Sequence, residues 1–136
     1  LTGPVNNGTG DWWKLTPDLS GSYVHGTWRQ VASLPAGYAP LYFASAVLPD
    51  GRVVIEGGEY NFGAEAWTNQ GAIYDPVADR WTPVEPPDVG GGEWVRIGDG
   101  PSTVLANGRF MLGASGYSGT TVQAILDASK LTWTAT

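Results

Sequence analysis

The chain has no cysteine, one histidine and one methionine among its 136 residues. Without cysteine there is no disulfide, no thiol nucleophile and no thiolate metal site. The single histidine, His25, lies in a stretch, residues 22–27, that reads as a surface hairpin turn, and one histidine assembles no Ser-His-Asp triad. Charge is also scarce, at 15% of residues, with seven basic side chains scattered against thirteen acidic ones for a net charge of −6. Phosphate backbones need clustered Lys and Arg, so nucleic acid is not an expected partner. No apolar run is long enough to span a membrane as a helix. Leu1 is followed by neither a charged run nor an apolar core, so no signal peptide is expected in this stretch. Sustained helical periodicity is missing too. What is abundant is turn chemistry: 20 glycines and 10 prolines, beside an apolar fraction of 42%. That combination predicts turn-dense, all-β structure with a core.

The chain is a tandem array. Trp28, Trp81 and Trp133 stand 53 and 52 residues apart, and internal periods of roughly 20–50 residues mark solenoids or propellers. Between them, Leu48-Pro49-Asp50-Gly51-Arg52 recurs as Leu105-Ala106-Asn107-Gly108-Arg109, 57 residues on. Asp-Gly and Asn-Gly between apolar runs are strong hairpin signals, because the turn needs positive φ. A second hairpin follows in each unit. Ala72-Ile73-Tyr74-Asp75 precedes Trp81 as Ala124-Ile125-Leu126-Asp127 precedes Trp133, and an aspartate at a turn start caps local N–H groups. Two hairpins per unit make four short strands, which is a propeller blade. Leu15 to Trp28 fits the second hairpin of an earlier blade. The predicted organisation is a partial blade over residues 1–33 (its last two strands), a full blade over 34–84 and a second over 85–136, all in one incomplete propeller domain.

The Leu-Pro-Asp-Gly-Arg turn, the apolar strand Val53-Val54-Ile55-Glu56 ending in Gly57-Gly58, then Tyr74 and Trp81, resemble the kelch motif of the galactose-oxidase-like propellers. The resemblance covers residues 15–136. It weakens in the second unit, where Gly113-Ala114 stands for the diglycine and Leu126 for Tyr74. It implies an all-β fold, here a kelch-type β-propeller segment of about two and a half four-stranded antiparallel blades. It also implies an extracellular or periplasmic setting and no single chemistry, since such propellers include binding scaffolds, oxidases and isomerases. The copper radical oxidases among them use two histidines and a Tyr–Cys cross-link, which this chain cannot assemble. The repeat residues Gly51, Gly57, Gly58, Tyr74, Gly108, Trp28, Trp81 and Trp133 are read as structural, the tryptophans as plugs between blades. Uncovered blade faces then need further blades or self-association.

Strand order places the Asp50 and Asp75 turns at one end of each blade and the longer loops at the other. Those longer loops vary. Gly51 to Asp75 is 24 residues against 19 from Gly108 to Asp127, and the excess falls in 59–69. Variable loops on a fixed scaffold are where binding resides. They are also acidic and aromatic. Glu59, Tyr60, Asn61, Glu65 and Trp67 on one loop, with Glu93 and Trp94 on the next, are the candidate ligand-binding residues. Ring faces stack on sugar C–H patches while carboxylates accept hydroxyl hydrogen bonds. The expected partner is a protein or carbohydrate, with no cofactor, no metal and no catalytic residue assigned. The rival reading is a fragment of a carbohydrate-active propeller enzyme whose catalytic groups lie partly in other blades; within this chain, Glu59 and Glu65 are the paired carboxylates that could serve acid/base glycoside chemistry. Tyr38 and Tyr42 are expected to be structural. Gly90-Gly91-Gly92 reads as a flexible linker, and Asn7-Gly8-Thr9 matches a glycosylation acceptor.

Overall fold

A computed structural model describes residues 8–115 and 120–136; Asn7 lies outside them. There are thirteen strands and no helix among the described residues. β1 (Trp12–Thr16) and β2 (Thr27–Val31) form a two-stranded sheet. β4 (Ala44–Val47), β5 (Val53–Glu56), β8 (Gly71–Asp75) and β9 (Arg80–Val84) form a four-stranded antiparallel blade in sequence order. β10 (Ser102–Val104), β11 (Phe110–Leu112), β12 (Ala124–Asp127) and β13 (Thr132–Ala135) form a second. The registers superimpose the repeats: Trp28 pairs with Leu15, Trp81 with Tyr74 and Trp133 with Leu126. The half blade is therefore the outer pair of a blade.

The inner hairpins form because their turns can reach positive φ. Gly51 (φ 86°) and Gly108 (φ 81°) sit at equivalent positions. Arg52 N–H donates to Asp50 Oδ1, as Arg109 N–H does to Asn107 Oδ1, each at 3.1 Å. Side chains alternate across each strand, and both faces of the inner strands β5 and β8 are buried in the middle blade. Ile55, Ala72 and Tyr74 face the half blade with Val31, Leu34 and Trp81. Val54 and Ile73 face the last blade with Phe110, Leu112 and Leu126.

Trp81 fills the first junction. It is buried, its ring lies 4.9 Å from that of Trp12 and 5.1 Å from that of Tyr74, and its Nε1–H donates to Ala32 O at 2.9 Å. Trp133 repeats the bond one blade on, to Glu85 O at 2.8 Å. Trp28 departs from the expected plug. It is 62% exposed, because no described residue packs on the outer face of β1–β2. Met111 and Ile125 occupy the matching open face of the last blade, at positions where the middle blade buries Val54 and Ile73.

The structure adds a small sheet that the repeat pattern does not contain. β3 (Pro40–Leu41), β6 (Tyr60–Asn61) and β7 (Ala64–Glu65) pair in the order β3-β6-β7. The long β5–β8 loop is thus a hairpin laid on the segment that leads into β4. Gly90-Gly91-Gly92 is not a loose linker either: all three glycines take positive φ in a turn closed by the Asp88–Glu93 bridge.

Candidate functional site

The rim opposite the hairpin turns is built from the β5–β8 loop, residues 57–70, and the β9–β10 loop, residues 85–101. The diglycine lets them meet. Gly57 (φ 77°) and Gly58 (φ 127°) take backbone angles that side chains disfavour. A Cβ on Gly57 would stand 2.5 Å from Gly98 O, and one on Gly58 would stand 2.7 Å from Pro40. Across that contact Gly58 N–H donates to Gly98 O at 2.7 Å and Ile97 N–H to Thr68 O at 3.1 Å. Asn69, unremarked in the sequence, donates from Nδ2 to Trp94 O at 3.0 Å and to Glu93 Oε1 at 3.4 Å. Two loops from different blades therefore form one surface.

The candidate residues divide on that surface. Trp94 is only 1% exposed, packs in the core between the two full blades and donates Nε1–H to Val89 O at 3.2 Å. It cannot stack on a ligand, because the loop that carries it folds back beneath the rim. Asn61 is committed to the protein as well. Its Oδ1 accepts from Ala39 N–H at 2.7 Å and its Nδ2 donates to Gly37 O at 2.9 Å, fixing the small sheet. Trp67 is half-buried, with its six-membered ring against the Gly98 backbone. Glu65 and Glu93 are exposed and Glu59 half-exposed.

Tyr60 is half-buried and meets Tyr42 edge-on at 5.9 Å. Tyr42, expected to be structural, is 67% exposed, and Phe62 is 53% exposed. Both hold positive φ, 53° and 52°, an unusual state for a bulky residue. Among the described residues the other two non-glycine positive-φ residues, Asp79 and Leu131, share one repeat position in the β8–β9 and β12–β13 turns. Tyr42 and Phe62 are the non-repeating cases. Tyr38, by contrast, is buried and donates its hydroxyl to Gly57 O at 2.8 Å. Burial pushes its ionisation well above the usual tyrosine range, with the Glu56 carboxyl adding to the effect.

Glu56 lies directly under the rim. It is fully buried on β5 opposite Gly71, neither carboxyl oxygen has a hydrogen-bond partner, and burial raises its pKa well above the ordinary value. A charged carboxylate is costly in such a place, so burial favours the protonated form.

Charge separates along the blades. The turn end carries Asp18, Asp50, Asp75, Asp79 and Asp127 against Arg29, Arg52, Arg80, Arg109 and Lys130, and is balanced. The ion pairs among the described residues all lie there: Arg52–Asp50 at 2.8 Å, Arg29–Asp79 at 3.3 Å, Lys130–Asp127 at 3.7 Å and Arg109–Asp127 at 3.9 Å. A groove at this end, lined by Asp50, Arg52, Arg109 and Asp127, is thus internally neutralised. The rim carries Glu59, Glu65, Glu85, Asp88, Glu93 and Asp99 against Arg96 alone, leaving five net negative charges. Asp11 and Glu56 against Lys14 account for the remainder of the formal −6, in which the buried Glu56 is counted as ionised. Among the described residues, no group of three or more His, Cys, Asp or Glu could hold a metal ion.

No protein-family profile matches the chain. It is 31% identical over 100 residues to the Kelch-like protein terF of Aspergillus terreus, over 72% of this chain and 20% of that protein. The chain therefore spans one fifth of the length of the curated relative it matches. Among solved structures it superimposes on that of YjhT with a TM-score of 0.65, covering 93% of this chain and 44% of the other at 14% identity. That likeness shows the fold.

Proposed function

We propose that this chain, a run of kelch repeats folded as blades of a β-propeller, is a binding scaffold whose ligand sits on the rim formed by residues 57–70 and 85–101. The observation that carries the reading is the joining of two loops from different blades into one surface that holds solvent-facing aromatics and carboxylates. The turn end lacks that character: its charges are matched to one another and its turns repeat from blade to blade. In the same reading, the open faces carrying Trp28 and Met111 are covered by further blades or another copy.

The test is a screen of glycans and protein ligands against the chain, followed by substitution. Glu59→Ala or Trp67→Ala should weaken a hit, by about thirtyfold if the side chain is a hot spot worth about 2 kcal/mol. Asp50→Ala at the turn end should leave affinity unchanged once folding is verified. Affinity that responds only to the turn-end change overturns the assignment of the face.

A further inference from the structure

Resting on that reading of the rim, we infer that its ligand is a cationic protein segment, bearing Arg or Lys, that docks on the Tyr42–Tyr60–Phe62 surface. Three observations meet there. The rings of Tyr42 and Phe62 are exposed to solvent beside the strands of a small sheet that the propeller repeat does not require. Tyr42 and Phe62 hold φ values that favour glycine, so each ring is presented from a backbone state that disfavours a side chain. The five net negative charges lie on the same end of the blades, on side chains that join no ion pair among the described residues. Glu65 pairs with Tyr60 across β6–β7, and Glu59 precedes Tyr60 in the chain. A carboxylate beside an aromatic ring suits a guanidinium or ammonium group, which the ring attracts by its face and the carboxylate by charge. A neutral sugar would use the rings and leave that potential unused. The field also acts at a distance and raises the encounter rate of a basic partner.

The experiment measures binding of a short capped Gly/Arg peptide to the full chain by titration calorimetry or fluorescence anisotropy. The citrulline version of the peptide and cellohexaose are the neutral comparisons. The arginine peptide should bind, and its citrulline version should bind about tenfold less tightly or not at all. Affinity should fall as ionic strength rises from about 0.05 M to about 0.2 M, because surface charges are screened. Tyr42→Gly and Phe62→Gly remove a ring at a backbone angle glycine accepts, so the fold is preserved, as circular dichroism would verify. Each should weaken binding about tenfold with the protein's charge unchanged. Glu65→Gln should weaken it and reduce its salt dependence, while Asp50→Asn should do neither. Diffuse attraction with no role for the rings, seen as loss with Glu65→Gln and none with either glycine variant, overturns the inference. Preferential binding of cellohexaose, sensitive to Tyr42→Gly, also overturns it but leaves the rim as the working face. Binding that responds only at Asp50, or no binding of either probe, overturns the inference, and the former overturns the rim reading with it.

Discussion

In the middle blade and the last blade the inner hairpin closes with the same bonds. Leu48 N–H donates to Arg52 O and Leu105 N–H to Arg109 O, both at 2.8 Å, and the turn glycines bond back to Leu48 and Leu105. At the rim end the two blades diverge. Glu56 faces Gly71 in the middle blade, and both its oxygens are buried without partners. In the last blade the polarity is exchanged: Gly113, expected to stand for the diglycine, occupies the Glu56 position instead, with Ala114-Ser115 in register with Gly57-Gly58, and Gln123 stands where Gly71 would be. Gln123 is satisfied, accepting from Ala114 N–H at 2.9 Å and donating to Thr121 O at 3.0 Å. A large polar side chain opposite a glycine thus occurs in both blades, on opposite strands, but only one blade supplies it with hydrogen bonds. The turn end is fixed by local geometry that both blades share. The rim end is free to differ, and there the protein tolerates an acid that weakens it.

The largest effect that would sharpen this comparison is at the blade junctions. Trp81→Ala should cost about 3–5 kcal/mol in denaturant titration, the range for a large aromatic removed from a core. Trp133→Ala should cost about half as much, because Trp133 keeps the indole–carbonyl bond but is only partly buried. Equal losses would mean that the two junctions do not differ as the burial indicates.

A smaller effect separates the rim ends. The Glu56 pKa is raised in the folded chain, so the folded state holds a proton that the unfolded state releases. Stability is then greatest below the ordinary glutamate range and declines as pH rises from there toward the folded value. Asp18, Asp50, Asp75, Asp79 and Asp127 act in the opposite sense. Hydrogen bonds, from their own turns or, for Asp79, from Ala32 N–H and the Tyr74 hydroxyl, lower their pKa values, so their stabilisation is present above the ordinary aspartate range and is lost as pH falls through the lowered values. Glu56→Leu should remove the decline on the alkaline side and raise stability at neutral pH by about 1–3 kcal/mol, the cost of an unsatisfied buried polar group. It should leave the acid limb intact. An unchanged pH profile in urea melts taken from acid to neutral pH would show that Glu56 finds a partner in solution.

The smallest effect tests the shared turn position. Leu131 and Asp79 both hold positive φ, but Asp79 uses its carboxylate, accepting from Tyr74 Oη–H at 2.7 Å and Ala32 N–H at 2.9 Å. Leu131→Gly should raise stability by about 0.5 kcal/mol, since relief of about 1 kcal/mol of left-handed strain is partly offset by backbone entropy. Asp79→Gly should instead lower it, both read from urea melts at neutral pH.

The parts of the fold that were legible in the sequence are those set by short-range chemistry repeated in register. The Gly51 and Gly108 turns and the recurrent tryptophan predict strand order, blade count and which end carries the long loops. The small β3-β6-β7 sheet was not legible, because two-residue strands have no periodicity and their pairing depends on Asn61 reaching Gly37 and Ala39, 24 and 22 residues away. Trp94 misled for a related reason. It sits among Glu93, Arg96 and glycines, the composition of an exposed loop, yet tertiary folding carries it under Asn69 into the core. The apolar residues Val89 and Ile97 nearby were the available signal. The exposed rings of Tyr42 and Phe62 had none, since positive φ at a non-glycine residue leaves no mark in composition.

The indole bonds at the junctions also bear on how such chains change over evolutionary time. Trp81 and Trp133 donate to main-chain carbonyls, those of Ala32 and Glu85, and a carbonyl is present whatever side chain its residue bears. The polar part of the contact that seats one blade on the next is therefore written in the arriving blade and needs only the right backbone path from the connector, while the apolar part still draws on neighbouring side chains such as Trp12, Val31 and Leu34. A unit duplicated or transplanted beside an unfamiliar neighbour keeps its half of the contact and finds the other half already there. Connectors can drift in sequence without unseating the array, which leaves the same segments open to acquire new ligands.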